Sequence, residues 1–270
     1  MPDSELIQTL EERTKVLRRH ILTMAANGQL IHLGGSMSIA EIMAALFFHF
    51  LEVEGKDKPK DHFILSKGHA VHALHACLAE LGKIDPGEFT RLGQMGTCLA
   101  GHPSLKAPLV EFATGSLGHG LSVGIGIALA EELNGQGART VVLMGDGELQ
   151  EGSVWEAALC APRFGLESLL AIVDCNGFQA NAPVGDIIPL DPLEEKWRSF
   201  SWNPQVIDGH EMGSILGALE SFPAAKGPTV IIANTVKGKG VPGVEGTARA
   251  HYTSLEENEV QNALKGLEGE

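Results

Sequence analysis

Val141-Val142-Leu143-Met144-Gly145-Asp146-Gly147-Glu148 and Leu169-Leu170-Ala171-Ile172-Val173-Asp174-Cys175-Asn176-Gly177-Phe178-Gln179 decide how this chain folds. Each is an apolar, partly β-branched run that ends in a short polar turn carrying an oxygen ligand. Buried parallel strands deliver site residues at their carboxyl ends in this way. Two such strands side by side would bring Asp146 and Asn176 together. A carboxylate, an amide oxygen and a backbone carbonyl near Phe178 form a half-shell of hard oxygens suited to Mg2+, which keeps its other positions for water and phosphate oxygens. Gly145 and Gly147 lack a Cβ, so the backbone can turn sharply and a phosphate can approach the N–H groups. Gly-Asp-Gly alone is ordinary turn chemistry. The second strand, with Asn176 at its end, raises it to a candidate site for a diphosphate-bearing cofactor.

Working outward, Glu151 to Ala158 reads as a helix start, with Ser153 as N-cap and Glu156 three residues on. Ser38 and Glu41 make the same pattern ahead of a helix running to about Leu51. Further helices are expected over 4–27, 69–82, 118–133, 211–221 and 254–266, and strands over 62–65, 139–144, 168–173, 204–207 and 228–235. The glycine-rich, almost wholly apolar helix 118–133 is expected to be buried against the sheet or another subunit. Alternating helices and strands without repeats predict one doubly wound, mostly parallel α/β domain over residues 1–270. Lys58-Pro59 and Gly135-Gln136-Gly137 punctuate the chain without dividing it.

Gly145-Asp146-Gly147-Glu148 followed by Asn176, between two apolar strands, resembles the thiamine diphosphate signature. The surrounding text is similar to the transketolase family. Ser66-Lys67-Gly68-His69-Ala70, Gly101-His102-Pro103-Ser104, Thr114-Gly115-Ser116-Leu117-Gly118-His119-Gly120-Leu121-Ser122 and Lys237-Gly238-Lys239-Gly240-Val241 occur in the family's order. The resemblance implies the family's diphosphate-binding fold and a two-carbon ketol transfer between sugars or sugar phosphates. By resemblance, Asp146, Asn176 and the carbonyl of Phe178 hold Mg2+, or Ca2+ or Mn2+ in its place. Gly115, Ser116, Leu117, Gly118, Gly145, Asp146, Gly147, Glu148 and Asn176 surround the cofactor, and His32, His69, His102 and His251 are the active-site histidines. Histidine suits that role because it titrates near neutral pH. Two places depart from the family's pattern: His32 sits in Ile31-His32-Leu33-Gly34-Gly35, where Ser-Gly-His-Pro-Gly-Gly is usual, and His119 replaces a common glutamine.

The remaining histidines, His20, His49, His62, His72, His75 and His210, lie in amphipathic or linking segments and read as structural. Four scattered cysteines suggest neither a disulfide framework nor a zinc site. A net charge of −14 argues against nucleic acid or an anionic membrane as partner. The acidic start and the lack of a long apolar stretch predict a cytoplasmic protein.

The resemblance covers only the diphosphate-binding part of a transketolase. Full-length members continue into pyrimidine-binding and carboxyl-terminal domains, one of which carries the glutamate that activates the cofactor. With a starting Met and a polar acidic end, the chain is expected to be one half of a split enzyme. A second subunit would carry the missing domains, in an assembly of two chains of each kind. The alternatives are a 1-deoxyxylulose-5-phosphate synthase-like enzyme, a 2-oxo acid dehydrogenase-type subunit, or a cofactor-binding regulatory protein without turnover.

Overall fold

The computed structural model describes residues 3–26, 29–53, 61–135, 137–180, 182–223 and 226–269. Lys56 to Lys60, with the Lys58-Pro59 break, and Gln136 lie outside the described residues. The strands are β1 (His62–Leu65), β2 (Thr140–Gly145), β3 (Leu169–Cys175), the short hairpin β4 (Phe178–Gln179) with β5 (Ala182–Pro183), β6 (Asn203–Asp208) and β7 (Thr229–Asn234). Five of them form one parallel sheet in the order β1-β2-β3-β7-β6. The helices are α1 (Ser4–Ala25), α2 (Leu33–Met37), α3 (Ala40–Ala45), α4 (Val71–Glu80), α5 (Gly120–Asn134), α6 (Gly152–Cys160), α7 (Val184–Ile187), α8 (Leu193–Ser199), α9 (Met212–Glu220) and α10 (Glu257–Gly269).

Over residues 141–144 and 169–173 the central strands are apolar at every position because both faces are covered. Val141, Leu143, Leu170 and Ile172 pack with α1, α3, α4 and α9 on one side, whereas Val142, Met144, Ala171 and Val173 pack with α5, α6 and α8 on the other. The period of two is therefore hidden in the sequence, where both phases are hydrophobic. Register pairs Gly145 with Asp174, so the polar turns of β2 and β3 emerge together at the carboxyl edge. Helix α5 lies close on β2: a Cβ at Gly124 would come within 2.3 Å of Val142 Cγ2. Its opposite side, with Ser122, Gly126, Ala130 and Leu133, is exposed in the single chain.

Two expected caps are corrected. Ser38 does not start a helix; it closes α2, and its hydroxyl donates to Asp174 Oδ2 at 2.8 Å. Glu41 pairs with Arg18 at 2.7 Å and with His210 at 3.2 Å instead of reaching back to a cap. After α3 the chain widens into a π-helical turn over Leu46–Phe50. Ser153 is likewise not an N-cap: α6 begins at Gly152, and the Ser153 hydroxyl donates to Gly118 O at 2.9 Å. Among the described residues no helix is long and apolar enough to cross a membrane.

His72 and His75 of α4 are fully buried, edge to face at 6.2 Å, and none of their ring nitrogens has a hydrogen-bond partner. Burial, reinforced by the rings of His75, His32 and His102, lowers the pKa of His72 to about 3, and burial alone lowers that of His75 to about 4. A histidine depressed in the fold supports stability above its unfolded pKa of about 6.5, and that support is lost as pH falls toward the folded value. At pH 5 each ring is expected to cost about 2 kcal/mol relative to pH 8. Thermal melts should therefore drop across this range, and a His72→Leu/His75→Leu variant should melt with a flatter pH dependence. Identical pH dependence in variant and wild type would refute the assignment.

Candidate active site

A cavity of about 280 Å³ opens at the carboxyl edge of β2 and β3. The end of β2 and the turn after it supply Gly145, Asp146, Gly147 and Glu148, and the segment after β3, including β4, supplies Asn176, Phe178 and Gln179. The segment after β1 adds Lys67 and His69, and His32, His102, Gly115, Leu117, Ala180, Lys237 and His251 complete the wall. Of the residues expected from sequence, Ser116 and Gly118 lie outside this lining. Gly118 serves the fold instead, since at φ +85° a side chain there would be strained, and a Cβ would meet Ser153 Oγ at 2.5 Å.

The Asp146 carboxylate folds its own turn. Its Oδ1 accepts from Gly147 N at 2.8 Å and its Oδ2 from Gly177 N at 2.7 Å. Burial, and then the neighbouring Asp174 carboxylate, raise its pKa to about 6. Asn176 Oδ1 accepts from Phe178 N at 3.2 Å, while its Nδ2 donates to Asp174 Oδ2 at 2.6 Å. The buried Glu148 ties loops together: Oε1 accepts from Ser66 Oγ and from Gly118 N at 3.0 Å, and Oε2 accepts from Gly145 N at 3.2 Å. That bonding fixes the 114–118 loop against the Gly-Asp-Gly turn.

Two observations fit these residues to a metal-bound diphosphate. Lys237 Nζ, almost wholly buried, donates to Phe178 O at 2.9 Å, so the carbonyl expected as a metal ligand already faces a cation. Gln179 Oε1, in the same wall, is buried without a hydrogen-bond partner. Among the described residues no group of three His, Cys, Asp or Glu side chains is placed to hold a metal. The candidate donor set here is instead one carboxylate, one amide and one carbonyl, which suits a hard cation that keeps phosphate ligands.

The four histidines converge. His32 is central, with ring centroids 5.4 Å from His69, 5.8 Å from His102 and 5.2 Å from His251. The Tyr252 ring packs against it at a tilt of 44°, with centroids 4.6 Å apart. His119, by contrast, is exposed at the start of α5 and does not line the cavity. Burial takes His32 to about 4, with His102 and Lys237 adding to the effect, and burial with Lys237 takes His251 to about 4. Burial, then the Lys67 charge, hold His69 well below the usual range. These rings are thus neutral at pH 7, each with one nitrogen to donate and one to accept. This corrects the expectation of titration near neutrality.

Sequence reasoning assigned no role to Lys67, Asp174, Gln179, Lys237 or Tyr252. The two lysines stand in motifs already quoted, and their place beside glycine at the ends of apolar strands was the signal for them: a buried lysine needs an anion. Lys67 Nζ finds one in Asp174. Burial, with Lys67 nearby, lowers Lys237 to about 8.

Comparison with known proteins agrees with this geometry. Residues 8–268 match the family described as transketolase, thiamine diphosphate binding domain. The chain is 37% identical to one of the subunits of apulose-4-phosphate transketolase from Phocaeicola vulgatus, over 91% of this chain and 89% of that protein. It is 38% identical to the 6-deoxy-6-sulfo-D-fructose transketolase subunit SqwG of a Clostridium species, over 97% of each. Transketolase from Leishmania mexicana superposes with a TM-score of 0.89 at 25% identity, over 96% of this chain. The chain spans only 41% of that transketolase, and 43% of the human one. It belongs to the transketolase family, as a thiamine diphosphate-binding domain.

Proposed function

We propose that this chain is the diphosphate-binding subunit of a split transketolase that moves a two-carbon ketol unit from a ketose to an aldose. The observation that carries the reading is the convergence of Asp146, Asn176, Phe178 O and four neutral histidines on one cavity, in a chain as long as relatives named as subunits. Residues 1–270 then form one cofactor- and metal-binding domain. Asp146, Asn176 and the Phe178 carbonyl hold Mg2+, with Lys67 and Lys237 supplying positive potential toward the diphosphate. Thiamine diphosphate, when bound, supplies the carbanion chemistry. His32, His69, His102 and His251 hold and exchange protons at the hydroxyls of the sugar. Two relatives are named for a phosphorylated and a sulfonated ketose. We therefore take the donor to be a ketose with a terminal anionic group.

A second subunit supplies the pyrimidine-binding and carboxyl-terminal domains. Two chains of each kind assemble, with the exposed side of α5 against a second copy or the partner. Alone, the purified chain is expected to show no ketol transfer. Adding the partner subunit should restore it and give a heterotetramer by native mass spectrometry. Turnover by the chain alone, with contaminating enzyme excluded, would overturn the split-enzyme reading.

A further inference from the structure

We propose that Asp174, gripped by Lys67, is a positioning residue that decides which end of the Asn176 amide faces the metal. The inference rests on the Mg2+–thiamine diphosphate reading of the cavity and adds a part that reading does not require. Asp174 is fully buried at the end of β3. Its Oδ2 accepts from Lys67 Nζ, from Ser38 Oγ at 2.8 Å and from Asn176 Nδ2 at 2.6 Å, and its Oδ1 accepts from Thr235 Oγ1. Lys67 Nζ also donates to Gly35 O at 2.9 Å, which fixes the ammonium between two acceptors.

A carboxylate held by an ammonium and two hydroxyls only accepts, so the side of Asn176 turned to it must be the NH2. The other end, Oδ1, is then committed to the opposite side, with Phe178 and the cavity. Without Asp174 the amide could turn over and set two N–H donors against a cation. Outer groups that orient ligands in this way commonly tune metal affinity by about 10- to 100-fold. Asp174 touches neither metal nor cofactor in this scheme. Lys67 keeps the buried carboxylate charged, because an uncompensated charge there would be costly.

The test titrates Mg2+ into the full chain at saturating thiamine diphosphate by calorimetry. D174N is expected to bind Mg2+ about tenfold or more weakly. In D174N/N176D the ligand at position 176 is a carboxylate with two equivalent oxygens, which needs no orientation and accepts from the amide introduced at 174. Affinity in that double variant should lie within about threefold of that of N176D alone, so that the cost of D174N shrinks from about tenfold to threefold or less, a coupling that a merely structural loss would not give. Wild-type affinity in folded D174N, or an undiminished cost of D174N in the double variant, overturns the proposal. Should D174N fail to fold, selective 15N-asparagine labelling of the cofactor-free wild-type chain provides the second readout. The Asn176 NH2 signal, assigned by its loss in N176D, should exchange slowly with solvent, and rapid exchange overturns the proposal. Wild-type chain that binds no Mg2+ with thiamine diphosphate would defeat the functional reading instead, and the exchange measurement would still report on Asp174.

Discussion

Asp146→Ala is expected to abolish Mg2+-dependent thiamine diphosphate binding while the cofactor-free chain melts at about the wild-type temperature. The binding half follows from chemistry: Asp146 is the carboxylate in a candidate donor set otherwise made of neutral oxygens, and a hard divalent cation held by neutral ligands alone is weakly bound. The stability half follows from two opposed effects. Its carboxylate accepts from Gly147 N at 2.8 Å and Gly177 N at 2.7 Å. Losing these costs about 1 kcal/mol each. Against that, the substitution removes a carboxylate whose charged form is disfavoured first by burial and then by the neighbouring Asp174 carboxylate. The turn is not a surface-reaching one, as an Asp-Gly sequence suggests, because Asp146 is only 4% exposed. Calorimetry and thermal melts of wild type, Asp146→Ala and Asp146→Asn would check both halves. Wild-type cofactor affinity in either folded variant would refute the metal assignment.

The sheet and the site's position within it were legible because burial on both faces writes itself into sequence as unbroken apolar runs, and those of β2 and β3 end in their ligands. Helix ends were less legible. Ser38 and Glu41 have the local spacing of a capping box, but each has a stronger distant partner: the Asp174 carboxylate for Ser38, and Arg18 with His210 for Glu41. A local rule predicts the bond a residue can make with its neighbours, and tertiary contact overrides it when a charge is nearby. The grip on Asp174 was not legible for a related reason. Lys67, Ser38 and Thr235 come from three separate segments, and nothing in their spacing says that they meet. Lys237 and Lys239 look alike in Lys-Gly-Lys-Gly, yet the first is buried and the second reaches Glu245 near the surface. Similarly, the altered setting of His32 and the replacement at His119 both depart from the family's pattern, but His32 is central to the histidine cluster and His119 lies outside the cavity.

His69→Ala and His102→Ala are each expected to lower kcat/KM of the reconstituted enzyme by about two orders of magnitude or more, with Mg2+–thiamine diphosphate affinity little changed. The two rings occupy different depths. His69 is set behind His32, against Lys67, and His102 is at the exposed mouth. Both are neutral at pH 7, since burial lowers each and Lys67 lowers His69 further. A neutral ring can accept a proton from a sugar hydroxyl at one nitrogen while donating at the other, so its loss should act on the transition state more than on cofactor binding. The effect should therefore appear in kcat/KM and not in the calorimetric cofactor affinity. Because His102 reaches solvent, added imidazole should restore part of the activity of His102→Ala, whereas the enclosed His69 position should resist rescue. Protonating these rings removes the accepting nitrogen, so wild-type activity should persist below the ordinary histidine range and fall on the acid side only as pH approaches the depressed values, about 4 for His32 and His251. Unaltered turnover in both variants would show that the cluster is packing around His32 and that the proton traffic runs through other groups.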